Sequence, residues 1–385
     1  MNRLAIAAVL PLLVPGWLAA AQDGRAPLQV PGARTAVQSG GARLYVTNQD
    51  DATISIVDVA SRELVETVDL QKLGFSPTAK PHHAQVEPDG RFWYVTLIGA
   101  GKVLKFDREN RIVGSVDMEV PGLLALHPDQ DLLLVARSMS AVNPPKRMAL
   151  IRRSDMTLLD EVDVFFPRPH AIAIHPAGKY AYVASLGVNQ LGSVRLEDGQ
   201  LSLIDVEGPQ HTFTQFSISP DGTWLVLTAS QSHQLMVFDL SDPARPTLAR
   251  TVPQEKGPFE SAFSRDGRWL VVTNLEANAV TVVNVAQWQP AEVIRHPQLA
   301  QPHGVVFSPD GAWVFVSNRH QAGGAHDHEG NKATGGGVVA AICLADRTVG
   351  KIVPVGHYAA GMGVASPARV PDAPAPPASP PAQCR

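Results

Sequence analysis

One four-residue turn motif recurs six times along the chain, and it constrains the fold more than any other feature. The motif reads EPDG, HPDQ, HPAG, SPDG, SRDG and SPDG, and its copies are separated by intervals of 40, 48, 44, 45 and 44 residues. A period of this size is typical of proteins built from repeated copies of one structural unit. We therefore expect an array of similar units rather than several unrelated domains.

Each unit has the sequence pattern of short β-strands. Runs of β-branched and aromatic residues alternate with Gly, Asp and Asn turns, and no comparable stretch has a helical period. Four short antiparallel strands per unit make a propeller blade. Seven units lie at about 42–70, 80–118, 121–163, 168–206, 212–251, 258–293 and 301–353. The sequence therefore predicts an all-β, seven-bladed β-propeller of four-stranded antiparallel blades.

The first unit lacks a segment for its innermost strand. Residues 359–366, AAGMGVAS, have the pattern of that strand. We expect them to complete the first blade, because closing the ring removes sheet edges that would otherwise be exposed.

Both ends of the chain differ in composition from the repeats. Residues 1–21 contain Arg3, an apolar run broken by Pro11 and Pro15, and small residues at the end, which is the pattern of a cleaved secretory signal peptide rather than a membrane anchor. We assign residues 22–41 to an N-terminal lead-in, 42–366 to the propeller and 367–385 to a disordered tail rich in Pro and Ala. These assignments predict a periplasmic or secreted protein with no membrane span after signal cleavage.

Charge and cysteine content exclude several functions. The formal net charge is −4 and no long basic or acidic block occurs, so neither nucleic acid nor an anionic membrane is expected as a partner. The chain has 2 cysteines, Cys343 and Cys384, too few for a disulfide-rich scaffold, a Cys-rich zinc site or an iron–sulfur cluster.

Histidines recur at one position of the repeat. The residue six places before the turn proline, or before its replacement Arg265, leads into the innermost strand. In the second to seventh blades this residue is His82, Gly122, His170, Thr214, Phe259 and His303. Innermost strands line the central channel, so we expect these residues to form a ring around one channel mouth. His83 follows the first of them directly.

The longest insertion in any blade also carries histidines. Residues 319–339 contain His320, His326 and His328 in a glycine-rich setting, between the second and third strands of the last blade. This position lies on the face of the channel mouth. The loop is either a lid that supplies a ligand or a solvated surface loop.

These seven histidines, His82, His83, His170, His303, His320, His326 and His328, are the predicted metal ligands. Neutral imidazole suits transition metals, and no acidic residue occupies the ring, which disfavours calcium and magnesium. We expect a transition metal, with copper favoured, or a haem-type cofactor. For each histidine taken singly, packing or capping at the start of a strand is the alternative.

Two stretches resemble a known propeller family. LYVTNQDDATISIVDV and LVVTNLEANAVTVVNV, at residues 44–59 and 270–285, resemble the YVTN repeats of seven-bladed propellers. The resemblance extends over residues 42–366. It implies the propeller fold but no particular activity.

A narrower resemblance concerns the histidines. PHHAQVEPDGRFWYVT and QPHGVVFSPDGAWVFVSN resemble blades of the nitrous-oxide reductase propeller, in which histidines at such positions hold copper. The match implies His82, His83 and His303 as ligands. The chain has no cupredoxin domain and no cysteine pair for a dinuclear copper centre, so a complete nitrous-oxide reductase is excluded. A simpler copper site, or a propeller similar to the haem d1 binding proteins with histidine as axial ligand, is left.

Two alternatives involve no metal. RPHAIAIHPAGKYAYVAS resembles a blade of the seven-bladed lactonases, which implies a hydrolase of sugar lactones. Ser185-Leu186 stands where that family has Asn-Glu, and Glu260 and Glu276 are the acidic residues that could replace it. The other alternative is a non-catalytic propeller that binds a periplasmic protein partner.

Overall fold

Seven four-stranded antiparallel sheets form the computed structural model, which describes residues 41–137, 143–320, 335–365 and Cys384. The strands in chain order are β1 (Arg43–Asn48), β2 (Thr53–Asp58), β3 (Glu63–Asp69), β4 (Pro81–Val86), β5 (Phe92–Leu97), β6 (Lys102–Asp107), β7 (Ile112–Asp117), β8 (Pro121–Leu126), β9 (Leu132–Arg137), β10 (Arg147–Arg152), β11 (Thr157–Asp163), β12 (Pro169–Ile174), β13 (Tyr180–Ser185), β14 (Gln190–Arg195), β15 (Leu201–Asp205), β16 (Phe213–Ile218), β17 (Trp224–Ala229), β18 (Gln234–Asp239), β19 (Thr247–Pro253), β20 (Pro258–Phe263), β21 (Trp269–Asn274), β22 (Ala279–Asn284), β23 (Gln289–Arg295), β24 (Pro302–Phe307), β25 (Trp313–Asn318), β26 (Val338–Cys343), β27 (Val349–Pro354) and β28 (Ala359–Val364). The predicted all-β, seven-bladed propeller is confirmed.

The ring closes through the last strand. Blade 1 has the order β28-β1-β2-β3, and each following blade takes the next four strands, from β4 to β27. Strand β28 pairs antiparallel with β1, with Leu44 opposite Val364 and Asn48 opposite Ala359. The predicted completion of the first blade by the C-terminal strand is therefore confirmed.

Neighbouring blades pack through apolar and aromatic side chains. The indole of Trp93 in blade 2 stacks on Tyr45 of blade 1 with ring centroids 4.6 Å apart, and on Phe106 of its own blade at 4.1 Å. These rings belong to one buried cluster of the first two blades. Because each blade buries its faces against its neighbours, the outermost strands are the ones left exposed, as in β3.

Two of the histidines have structural partners on the face opposite the channel mouth. His127 and His175 lie in the turns between the first two strands of their blades. The His127 ring nitrogen Nε2 donates to the carbonyl of Gly178 at 2.8 Å, and His175 does the same to Gly222 at 3.2 Å. Each bond joins one blade to the next. The two histidines therefore link the turns of neighbouring blades.

The two cysteines form a disulfide that the sequence analysis did not anticipate. Cys384 joins Cys343 at the end of β26, with the two Cα atoms 5.9 Å apart. The rest of the predicted tail, the predicted signal peptide and almost all of the lead-in lie outside the described residues. Within 41–137, 143–320 and 335–365, no helix is long and apolar enough to cross a membrane.

Candidate functional site

A backbone irregularity repeats where every innermost strand begins. In all seven blades the register with the second strand shifts at the first residues of the innermost strand. A bulge of this kind lets two consecutive residues avoid the strict alternation of a strand. His82 and His83 lie in one such bulge, which explains why both are buried although they are adjacent.

The residue before each innermost strand has a left-handed backbone, and we call these seven the rim residues. Six of them are not glycine, and all have positive φ: Lys80 (50°), Val120 (44°), Arg168 (53°), Thr212 (56°), Gly257 (70°), Gln301 (54°) and Tyr358 (57°). In six blades the carbonyl of the rim residue accepts the N–H of the residue that follows the second strand, as Arg168 does from Leu186. Such strain persists only where the surroundings fix it, and it often marks binding sites.

Buried hydroxyls tie these bulges together around the ring. Thr273, the Thr of VVTN in blade 6, accepts the N–H of Glu260 at 3.0 Å and donates to the carbonyl of His303 in blade 7 at 2.7 Å. Thr47 in blade 1 donates to the carbonyl of His82 in blade 2 at 3.1 Å. The Thr of the repeated motif therefore positions the backbone of the next blade's ring residue.

Three imidazoles meet on one side of the channel mouth. The rings of His82 and His170 lie edge to face with centroids 6.0 Å apart, across the blade that has Gly122 at the ring position. His83 lies close enough to His170 to interact electrostatically with it. His82, His83 and His170 are 3%, 4% and 5% exposed. Of the predicted ligands, the structure thus brings His82, His83 and His170 near one another. His303 packs against Glu260 and Phe259 instead.

Hydrogen bonds define which nitrogen of each imidazole carries the proton. Nδ1 of His170 lies 2.7 Å from the carbonyl of Thr214 and must donate to it, so the lone pair of the neutral ring is at Nε2. Nδ1 of His83 accepts the N–H of Leu124 at 3.2 Å, and Nδ1 of His82 accepts from the amide of Gln49 at 2.9 Å. His82 and His83 therefore present N–H donors at Nε2, whereas His170 presents an acceptor.

Burial keeps the imidazole of His83 neutral. Burial, together with the nearby ring of His170, lowers the pKa of His83 to about 3. A neutral imidazole is the form that binds metals and exchanges hydrogen bonds without carrying a charge into the channel.

His303 lies in a different environment. Its Nδ1 lies 3.3 Å from Oε1 of Glu260, and its ring packs against Phe259 with centroids 4.4 Å apart. Burial raises the pKa of the Glu260 carboxyl to about 8, although the N–H of Val305, the charge of Arg319 and the amide of Gln215 each favour the charged form. The ring of histidines is thus divided into a three-imidazole side and an acid–imidazole side.

A buried arginine completes the second side. The Arg319 guanidinium lies over the rings of Phe259 and Tyr358, at 5.2 and 4.3 Å from their centroids. Burial lowers its pKa, which Tyr358, Glu260 and Asp50 counteract. Arg319 directly follows β25, so the chain leaves the last blade toward the long insertion through this contact.

Of the histidines in the long insertion, His320 is the one that lies within the described residues. Nε2 of His320 donates to the carbonyl of Gln298 at 3.1 Å. His326 and His328 lie outside the described residues. Among the other predicted acidic residues, Glu276 is exposed and lies beside the rim residue Gly257.

Sequence reasoning gave little weight to Glu260 and did not find Gln49, Arg319 or Tyr358. The signal for Glu260 was available, because the residue after the ring position forms a second ring whose polar members are His83, Gln215 and Glu260. No comparable pattern points to Arg319, whose equivalents in the other blades are not basic. No cluster of three or more His, Cys, Asp or Glu side chains suited to a metal ion occurs within residues 41–137, 143–320, 335–365 and Cys384.

The comparisons with solved structures agree on the architecture. The periplasmic gluconolactonase PpgL of Pseudomonas aeruginosa superposes with a TM-score of 0.66 and 21% identity, covering 84% of this chain and 98% of that one. A functionally unknown protein from Desulfotomaculum acetoxidans superposes with a TM-score of 0.66 and 14% identity, covering 85% of this chain and 100% of that one. Dihydro-haem d1 dehydrogenase NirN in complex with DHE superposes with a TM-score of 0.56 and 16% identity, covering 83% of this chain and 74% of that one.

At these identities the likeness shows the fold alone. No protein-family description and no curated protein matches the sequence. The molecule is a seven-bladed β-propeller with a polar, largely buried channel mouth, and the resemblance to the YVTN repeats stays a prediction.

Proposed function

We propose that the channel mouth binds a metal-containing cofactor of the haem type, with His170 as its axial ligand. The observation that carries this proposal is the bond from Nδ1 of His170 to the carbonyl of Thr214. Metal-ligating histidines characteristically donate their second ring nitrogen to a carbonyl or carboxylate, which fixes the tautomer and raises the basicity of the ligating nitrogen. His170 has this arrangement, and it is the one of the three clustered imidazoles whose Nε2 is an acceptor.

The number of available protein ligands favours a tetrapyrrole over a bare ion. Bare transition-metal ions take three or four protein ligands, and the described residues contain no such group. A haem iron receives four nitrogens from its macrocycle and needs one or two axial ligands from the protein. A bare copper ion, which the histidine pattern of the sequence favours, would need further ligands, for which the sequence offers His326 and His328.

The other residues of the mouth then have separate tasks. His82 and His83 present N–H donors that can orient a polar group of the cofactor or of its substrate. The cofactor would supply the redox chemistry, and the protein would supply orientation and exclusion of water. The structure of NirN, a propeller of the same fold, in complex with DHE supports this choice of cofactor class. The signal-like residues 1–21 support export as the route to the compartment where the cofactor is loaded.

Haem titration of the apoprotein tests the proposal. Iron protoporphyrin IX is added to the purified protein and followed by its absorption spectrum. We expect stoichiometric binding with a histidine-ligated spectrum, and affinity weaker by about 10- to 100-fold or more in His170→Ala. His175→Ala is the matched control, because His175 lies on the opposite face and should leave binding unchanged.

Three outcomes would contradict the proposal. Equal haem binding by His170→Ala and the wild type would remove the axial assignment. Tight stoichiometric copper binding against a competing chelator, with no haem binding, would favour the bare-ion alternative. If neither ligand binds, the protein-interaction alternative is favoured.

Lactone hydrolysis is the second candidate, favoured by the contact of Glu260 with His303 and by the fold shared with a gluconolactonase. A buried carboxyl with a raised pKa is suited to general acid–base catalysis. Hydrolysis of sugar lactones is measured by the acid it releases at constant pH. Activity of the wild type that is lost in Glu260→Gln would establish this function. An inactive wild-type protein would exclude lactones as substrates.

A further inference from the structure

One exposed aromatic side chain lies in the loop that joins blade 3 to blade 4 on the face of the channel mouth. Phe165 is 66% exposed, the highest value among the large apolar side chains of the described residues. Its two neighbours in the chain, Val164 and Phe166, are 0% and 1% exposed and belong to the apolar cluster between these blades. The ring of Phe165 is therefore held out at the surface between two buried anchors.

The backbone at Phe165 has a conformation that favours glycine. Its φ is 64°, in the left-handed region, where Cβ crowds the following carbonyl oxygen. Strain of this kind persists where the surrounding structure enforces it, and it clusters at functional sites. Neither burial nor backbone geometry accounts for an aromatic residue at this position.

Equivalent loops form without an aromatic residue. The N–H of Val164, the residue after β11, donates to the carbonyl of Lys146 at 2.8 Å, and the equivalent backbone bond occurs in five other blades. The residue that follows the donor in those blades is Gln71, Glu119, Glu207, Glu255 or Gly356. Blade 3 thus has a large apolar side chain where the other five have a polar residue or glycine.

Positive charge lies on both sides of Phe165. On one side the backbone bond just described brings Lys146 alongside the loop, and on the other side Arg168 is the rim residue. Arg147, the next cation, is paired with Asp163 at 2.7 Å. Aromatic side chains and arginine are enriched at the centres of protein interfaces and supply much of the binding energy there.

We infer that Phe165, with Lys146 and Arg168 beside it, is the docking surface for a protein partner whose contact site is an apolar pocket surrounded by carboxylates. The aromatic ring fills the pocket, and the two cations face the carboxylates. The fixed loop holds the ring in place before binding, so less conformational entropy is lost on association. This docking surface is independent of the proposed function, because it uses no ligand of the channel.

Site-specific photo-crosslinking tests the inference. The photoreactive residue p-benzoylphenylalanine replaces Phe165 in the cells that produce the protein, and the crosslinked partner is identified and purified. We expect the partner to bind the wild type and to bind Phe165→Ser about 10-fold or more weakly. Lys146→Glu and added salt should also weaken binding. Leu203→Ser is the matched control, because it removes an exposed apolar side chain from β15 and should leave the affinity unchanged.

Two results of this experiment would overturn the inference. One is the absence of a crosslinked partner, or a partner whose affinity is the same for Phe165→Ser and the wild type. The other is a crosslink to a second copy of this chain alone, which would replace the acidic partner by self-association.

The stability of the free protein gives a second test. Phe165→Gly should leave the urea midpoint unchanged or raise it, because glycine adopts this φ without a Cβ clash and no buried contact is lost. Phe166→Ala is the comparison, because it removes a buried ring and should lower the midpoint. A midpoint lowered as far in Phe165→Gly as in Phe166→Ala would show that Phe165 serves the fold and would overturn the inference.

Discussion

Single histidines of the channel mouth differ in chemistry because their neighbours differ. His170 donates from Nδ1 to a carbonyl, whereas Nδ1 of His83 accepts a backbone N–H. His303 instead meets a carboxyl group. Imidazoles at equivalent or adjacent positions of the repeat thus differ: His170 provides a lone pair at Nε2, His83 provides an N–H donor, and His303 lies beside a buried carboxyl group. The repeat places the imidazoles, and the contacts differentiate them.

At this scale we predict that His83 makes the protein sensitive to acid. Its pKa is about 3 in the folded protein against an ordinary value of 6.5, so between these values the unfolded chain binds more protons. Stability from this group is complete above pH 6.5 and is lost toward pH 3, at up to about 1.4 kcal/mol per pH unit. His83→Gln, which keeps an acceptor for Leu124, should lose less stability on acidification.

Urea unfolding at several pH values measures the difference. His357→Gln serves as the control, since His357 is exposed and makes its contact with Asp51 at the surface. Parallel pH profiles for the wild type and His83→Gln would show that His83 does not stay neutral on folding.

At the scale of strands, the second strand of one blade organises the first strand of the next. The hydroxyls of Thr47, Thr228, Thr273 and Ser317 are fully buried, and each donates to the carbonyl of a ring residue in the following blade. The Thr of the repeated motif is therefore a link between blades, and Ser is the only substitute in these four positions. A hydroxyl is needed because both bonded groups are shielded from water.

We predict that Thr273→Val destabilises the protein by about 1–3 kcal/mol, because it leaves buried backbone groups of Glu260 and His303 without a partner. Thr273→Ser should restore most of the loss. Thr251→Val on the exposed strand β19 is the control for changing Thr to Val. A Thr273→Val midpoint in urea equal to that of the control would show that the hydroxyl bonds contribute nothing net.

At the scale of the whole molecule, two connections close the ring. Strand β28 completes blade 1 by pairing with β1, and the Cys343–Cys384 disulfide ties the end of the chain back to blade 7. The covalent loop spans 41 residues and contains both β27 and β28. Opening the ring at β28 thus requires motion of a segment that is fixed at both ends.

We predict that Cys384→Ser lowers the free energy of unfolding by about 2–4 kcal/mol, because the cross-link restricts the unfolded chain. The wild type in dithiothreitol should fall to the same value, and the variant should not respond to the reductant. Both results are read from urea unfolding curves. A wild type whose curve is unaffected after complete reduction would contradict a stabilising disulfide.

The sequence by itself determined the architecture and the equivalence of the histidine positions in different blades. The spacing of the turn motifs predicted the number of blades, and the apolar segment after residue 358 predicted the closing strand. Aligning the repeats on the turn proline placed His82, His170 and His303 at equivalent positions. These features are local, since period, turn chemistry and strand pattern are read from residues near one another in the chain.

Only the tertiary structure decided what the mouth residues do. His170 and Thr214 are 44 residues apart, and the approach of Glu260 to His303 likewise crosses from one blade to the next. Proton positions, raised or lowered pKa values and the position of Arg319 against Phe259 and Tyr358 all depend on such contacts. A repeat pattern gives each blade the same backbone, but burial and hydrogen bonding are set by whichever side chain the neighbouring blade presents.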